Sequence, residues 1–399
     1  MYTRLLPLSA ILGLLMAVGL FAVDMYLPVL PAIGEQLRAD SHEVQASLIS
    51  FFAAMALSQI FYGPLSDMFG RKRPLYFGLT LFVIGAIGCA LTNDIEGLVA
   101  FRFLQGVGAA AGSVIARAVV RDCYTGVEAA QLMSRLLLIF SISPILAPLA
   151  GSAVSFFGSW RLIFWVMVVA AALGLAMCLF LLDETRPPEK RTESSLKATF
   201  AAFGTLLSDP YYLGLVMIAA FGMSSYMIYV ANSSFVLIEH YGLSPTFYSV
   251  VFSVNAVAFI GASQLNGRLA RRFGLRRLIR TAVIGYAAMM TGLFVVTSLG
   301  FTQLPVMAAF LFAGYGFLGC IIPTSAVLAL ETHGRIAGTA SALMGTIQFI
   351  VAATVIGIGG RFVDGTSLPM IGIIALCSVT VLGFATVTLR RSGEIQPAE

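Results

Sequence analysis

Residues 63–73 read GPLSDMFGRKR, and residues 267–277 read GRLARRFGLRR. Gly, Leu, Phe, Gly and the closing pair of basic residues coincide at an offset of 204, about half of the 399-residue chain. Each copy is a short charged segment between two long apolar runs. A smaller echo pairs Gly106-Val107-Gly108 with Gly314-Tyr315-Gly316. The chain therefore reads as two copies of one unit, and the character of the flanking runs decides what that unit is.

Those runs are too apolar for water. Hydrophobic residues make up 59% of the chain and charged residues 11%, with a mean hydropathy of +0.93; a soluble domain carries about 25% charged residues. Roughly 20 apolar residues cross a bilayer. Twelve such runs occur, at about 7–30, 44–65, 74–92, 96–118, 129–154, 160–182, 211–236, 245–266, 277–298, 303–328, 336–360 and 368–389. The polar, proline-bearing segment 183–209 separates residues 1–182 from residues 210–399. The expected fold is an all-α membrane protein, with twelve transmembrane helices in two pseudo-symmetric six-helix bundles joined by a cytoplasmic linker. The first 30 residues resemble a signal peptide, but they contain Asp24 and no clear small-residue cleavage site, so they are read as a retained first helix.

The pI near 9.0 is a topology signal and not a nucleic-acid footprint, because the basic residues fall in short loops. With the N-terminus inside, twenty of the 24 Lys and Arg residues lie on the cytoplasmic side, among them Arg71–Arg73, Arg186–Lys197 and the six arginines from Arg268 to Arg280. Arg38, Arg161 and Arg361 lie outside, and Arg102 lies within a span. The expectation is a multi-pass protein of the cytoplasmic (inner) membrane with both termini cytoplasmic. Five scattered cysteines without CxxC or Cys/His spacing support neither a metal site nor a disulfide framework.

The quoted segments carry a family resemblance that runs essentially end to end. GPLSDMFGRK resembles the loop signature of the major facilitator superfamily, and LVAFRFLQGVGAAAG (98–112) resembles the fourth-span signature of its twelve-span drug/proton antiporters. DMYLPVLP (24–31) is similar to their first-span signature, and SPILAPLAG (143–151) to a degenerate fifth-span one. VRDCY and DETRPP extend the likeness to the Bcr/CflA branch, the bicyclomycin and chloramphenicol exporters. Three departures stand out. Met68 replaces a usual basic residue, Ala147 replaces the glycine before Pro148, and Arg271 stands in the second copy where the first has Asp67. The resemblance implies a transporter whose 63–73 loop acts as a gate; Asp67, Gly70 and Arg71, with Arg121 and Asp122 at a neighbouring helix end, are the candidate gating residues.

Within the spans, charge is scarce. Of nineteen acids, Asp24 alone lies well inside a span, and Arg102 is the one deep base; His42, His240 and His333 all lie in connections, so no intramembrane histidine relay is available. Asp24 and Arg102 each sit about six residues from the outer end of their span, ~9 Å at ~1.5 Å per residue. An unpaired Asp at the bilayer centre costs ~2.5–3.5 kcal/mol. Desolvation and a nearby cation move a carboxyl in opposite senses, so Asp24, with Arg102, is the expected proton-coupling site; a static brace between helices is the alternative. Pro28 and Pro31 cannot donate to the carbonyls of Asp24 and Leu27, which predicts a bent first helix beside a cavity or protein partner. Gly106, Ala109 and Ser113 continue the Arg102 face as small residues for close helix packing. GVGAAAG is not GxGxxG, and no P-loop occurs.

Candidate substrate-binding residues are the deep polar, aromatic and apolar side chains Tyr26, Met55, Gln59, Arg117, Tyr226, Tyr229, Asn232, Phe252, Asn255, Tyr315 and Gln348. Apolar walls with few polar anchors suit lipophilic solutes. The function expected is proton-coupled multidrug efflux by alternating access, without cofactor or metal. A proton-coupled carrier for an amino acid, sugar or organic acid is the alternative. No clustered His, Asp or Glu ligands and no nucleophile–base pair suggest an enzyme. The expected partners are drug molecules, protons and the lipid bilayer, not nucleic acid, and the expected state is a monomer.

Overall fold

The computed structural model describes residues 2–124, 126–187, 189, 196–333, 336–362 and 365–391, and all the regular structure among them is helical. Two units result, Met1–Ala198 and Thr199–Glu399. The first contains α1 (Tyr2–Asp24), α2 (Leu30–Leu37), α3 (Ser41–Phe69), α4 (Lys72–Leu91), α5 (Ile95–Cys123), α6 (Gly126–Phe156) and α7 (Arg161–Phe180), with α8 (Leu196–Leu207) beginning at its end. The second contains α9 (Pro210–Ser234), α10 (Pro245–Phe273), α11 (Leu275–Ser298), α12 (Leu304–Glu331), α13 (Ala337–Gly359) and α14 (Leu368–Arg391). Eleven helices among the described residues are long and apolar enough to cross a membrane; α6, 31 residues long with an apolar stretch at Ile142–Phe156, completes the expected twelve.

Polar residues fix where these helices begin. Asp40 accepts from the Glu43 amide (2.8 Å) while the Glu43 carboxylate accepts from the Asp40 amide (2.9 Å), a reciprocal cap at the start of α3. Asp94, Asp209 and Ser244 accept from backbone amides at the starts of α5, α9 and α10. The helices after the first of each unit pair in the same way. In the first, α5 packs on α3 and α4, α4 on α7, and α1 on α5, α6 and α7. In the second, α12 packs on α10 and α11, α11 on α14, and α9 on α12, α13 and α14. α10 repeats α3 at both ends at an offset of 204.

Two details differ from the sequence expectation. The first span is not a helix with a bend in it: α1 stops at Asp24, a single 3₁₀ turn covers Leu27–Val29, and α2 restarts at Leu30. The Tyr26 amide bonds to Val23 O and not to Ala22 O, so the ladder breaks two residues before Pro28. The segment 183–209 is also not wholly a polar connection, since Leu196–Leu207 lacks proline, is mostly apolar and forms α8.

Candidate functional site

The break after α1 gathers the deep charges of the first unit. Asp24 is 7% exposed and Arg102, on α5, is fully buried. Their side chains form no ion pair with one another. Arg102 Nη1 donates to Ala22 O (3.0 Å), the carbonyl left free by the break, and to Gln105 Oε1 (2.6 Å). The guanidinium carbon lies 4.6 Å from the Tyr26 ring centre and 4.4 Å from that of Phe51, so two aromatic faces flank the cation. Asp24 instead accepts from Ser143 Oγ on α6 at 3.2 Å. Tyr26 Oη lies 2.8 Å from Ser47 Oγ, and Ser47 itself donates to Val44 O at 2.6 Å, so the tyrosine donates.

Small residues allow this convergence. A Cβ on Gly112 would stand 2.5 Å from Leu15 O of α1, and side chains on Gly106 and Gly108 would strike Phe51 O of α3 and Gly78 O of α4. The GVGAAAG run is thus a packing surface by which α5 touches three helices. Gly151 of α6 likewise lies against Met25 O, which holds α6 against the break.

At one end of the same unit, the 63–73 loop forms a charge network. Arg71 grips Asp122 at the end of α5 through Nε (2.6 Å) and Nη2 (3.0 Å), and reaches Asp67 (2.8 Å) and Ser66 (2.6 Å) through Nη1. Glu184, beyond α7, accepts from the Arg71 and Lys72 amides at 2.8 and 3.1 Å, placing a carboxylate on the positive end of α4. Arg186 approaches Asp67 (3.4 Å) and Asp122 (3.8 Å), and Thr185 donates to Asp122. Burial alone lowers the Arg71 pKa, but the hydrogen bond and charge of Asp122, reinforced by Asp67, outweigh it and leave the pKa raised. Gly70 makes the turn possible: its φ of 87° and ψ of 167° are open essentially to glycine alone. Arg121 is exposed and stands outside the network.

In the second unit, Tyr229 stacks on Phe252 (centroids 5.5 Å apart, 8° between planes) and tilts against Tyr315 at 5.5 Å. Tyr226 stacks on Phe259 and meets Tyr315 edge-on. Asn255 donates to Tyr229 Oη at 3.0 Å, and its Oδ1 is buried with no hydrogen-bond partner among the described residues. Asn232 donates to Ile228 O within its own helix, and Gln348 is half-buried on α13. Of the first-unit candidates, Gln59 is buried, Met55 packs on the apolar core that includes Ile11, Tyr62 and Leu79, and Arg117 is exposed with Nε on Ser113 O.

A family model described as Major Facilitator Superfamily matches residues 12–357. The chain belongs to the major facilitator superfamily. It is therefore a multi-pass membrane transporter and not an enzyme. It is 34% identical over 392 residues to an uncharacterized MFS-type transporter, YdgK, of Bacillus subtilis, covering 98% of this chain and 97% of that one. It is 30% identical to a bicyclomycin resistance protein homolog of Haemophilus influenzae, with 95% of each chain covered. Against the multidrug resistance protein MdtL of Escherichia coli the identity is 29%, over 95% of this chain and 94% of that one. A solved peptide transporter, POT, superposes with a TM-score of 0.74 at 15% identity, covering 98% of this chain and 94% of that one, a likeness of fold.

On this major facilitator scaffold most of the sequence candidates fall into three groups, while Met55, Gln59, Arg117, Arg121, Asn232 and Gln348 stand apart from them. Arg102 and Tyr26 meet at the α1 break, where Asp24 turns instead to Ser143; Asp67, Arg71 and Asp122 meet in the loop network; Tyr226, Tyr229, Phe252 and Tyr315 form one aromatic cluster, with Asn255 bonded to Tyr229. Ser143, Gln105, Phe51, Ser66, Glu184 and Arg186 were not among the candidates. Gln105 was within reach, three residues after Arg102 on the same helix, and Glu184 and Arg186 sit in the quoted DETRPP. Ser143 opens the quoted SPILAPLAG but nothing there ties it to Asp24, and Phe51 carries no signal, since phenylalanine is ordinary in apolar helices.

Proposed function

We propose that the protein exports small lipophilic drugs across the cytoplasmic membrane in exchange for protons, by alternating access, as a monomer with both termini in the cytoplasm. One observation carries this reading: a carboxyl group buried at a helix break, with a serine hydroxyl as its partner and no ion pair among the described residues. A carboxyl held in that way has no fixed counter-charge, and a change at the break that brings the Arg102 fork to it favours the carboxylate. Protonation from outside then accompanies release of the drug, and drug entering from the cytoplasm favours proton loss. An inward proton across 100 mV supplies ~2.3 kcal/mol, enough for modest accumulation of a neutral solute outside. The aromatic cluster around Tyr229 and Tyr315 supplies the apolar wall, and Asn255 Oδ1 a buried acceptor for a donor on the substrate. Asp67, Gly70, Arg71 and Asp122 form the cytoplasmic gate region, and exposed Arg121 lies beside it without joining its charge network. The names of the Haemophilus influenzae and Escherichia coli relatives support drugs over metabolites as cargo.

Everted membrane vesicles test the direction and the driving force together. With an imposed pH gradient, acid inside, vesicles holding the protein are expected to accumulate a lipophilic antibiotic such as chloramphenicol and to lose it on adding a protonophore. Accumulation that ignores the protonophore, or uptake of an amino acid or sugar with no antibiotic transport, contradicts the proposal.

A further inference from the structure

In the first unit α3 and α4 pack more on α5 than on each other. The gap between them is a groove of about 390 Å³, walled by Phe61, Leu65 and Phe69 of α3 and Phe77 of α4, floored by Val107 of α5, and ended by Arg73. Phe61, Phe69 and Phe77 are 47%, 46% and 61% exposed, an aromatic lining that acyl chains cover favourably in a bilayer. The α3 wall runs from Ser58 to Phe69, ~16 Å at ~1.5 Å per residue, which is close to one leaflet of a ~30 Å hydrocarbon core. The charge at its head is one-sided. Arg73 is exposed and makes no ion pair among the described residues, and neighbouring Lys72 lies over the Tyr76 ring at 5.7 Å, also outside any ion pair. The nearby acids are engaged elsewhere, Asp67 with Arg71 and Arg186, and Glu184 with the first amides of α4.

We propose that this groove binds one anionic phospholipid, with an acyl chain along Phe61–Phe69 and the phosphate on Arg73. A guanidinium fork matches two phosphate oxygens, and the groove places that fork at the headgroup end of a leaflet-long apolar slot. The site requires a chain embedded in a membrane and is independent of what the protein transports.

Brominated lipids read the contact directly. The full chain carrying Phe61→Trp is reconstituted in phosphatidylcholine vesicles containing, at equal low mole fraction, either chain-brominated phosphatidylglycerol or chain-brominated phosphatidylcholine. The parent protein, whose Trp160 and Trp165 lie at the start of α7, supplies the background emission. Quenching of the added indole is expected to be several-fold stronger with the brominated phosphatidylglycerol, and Arg73→Gln in the same background is expected to equalise the two lipids. Equal quenching in the Phe61→Trp protein means ordinary lipid contact only and overturns the proposal, as does a preference that survives Arg73→Gln. Leu65→Trp carries the same readings if Phe61→Trp does not fold.

Discussion

Arg102 shows how one residue can hold a broken helix in place. Its guanidinium is fully buried, takes up the carbonyl freed at Ala22, and lies between the rings of Tyr26 and Phe51. Replacement by methionine keeps an apolar stem but leaves Ala22 O without its donor, a loss of about 1–3 kcal/mol for a buried backbone acceptor. Arg102→Met is therefore expected to unfold at a lower temperature in detergent than the parent. Arg102→Lys should fall between them, since an ammonium keeps the charge without the flat fork; equal melting of all three contradicts the clamp. Both deep charges were legible in the sequence because charge is rare in an apolar run. Apart from Gln105, one turn along the same helix, their hydrogen-bond partners were not. A backbone carbonyl has no letter of its own, and Ser143 lies 119 positions from Asp24.

At the scale of elements, the repeated loop shows what a duplication keeps and what it lets go. Gly70 and Gly274 end α3 and α10 with φ of 87° and 79° and ψ of 167° and 148°. Alanine at either position is forced into backbone space that only glycine occupies readily, at a cost of order 1–3 kcal/mol. Gly70→Ala and Gly274→Ala are each expected to lower thermal stability, and an unchanged midpoint in both argues that the turn relaxes freely. The charges on this frame are not repeated, because Leu275 stands where the first copy has Arg71 and Arg271 where it has Asp67. Glu184 caps α4 in the first copy alone among the described residues. Glu184→Ala should cost about 1 kcal/mol, as for a lost helix cap; Glu184→Gln, which keeps an acceptor oxygen, should cost less. Thermal melts of the pair check the order, and a larger loss for glutamine contradicts it. The loop could be placed from its glycines and charges, whereas Glu184, 113 positions from Arg71, becomes its partner only once α4 and α7 pack.

For the whole molecule, the twelve-span count, the two-copy organisation and the family follow from hydropathy, the offset of 204 and the quoted signatures, because a bilayer forces every span to satisfy its backbone internally as helix. The position of the α1 break was less legible, since Pro28 and Pro31 announce a disturbance but helix packing against Gly151 and Arg102 decides where the ladder opens. The central claim is that Asp24 exchanges a proton as drug is moved. Drug-evoked proton release from the purified protein, followed with a pH-sensitive dye for the parent and for Asp24→Asn, tests it most directly. The account predicts release on drug addition by the parent and none by Asp24→Asn, with drug still bound by both; proton release of parental size from Asp24→Asn contradicts it.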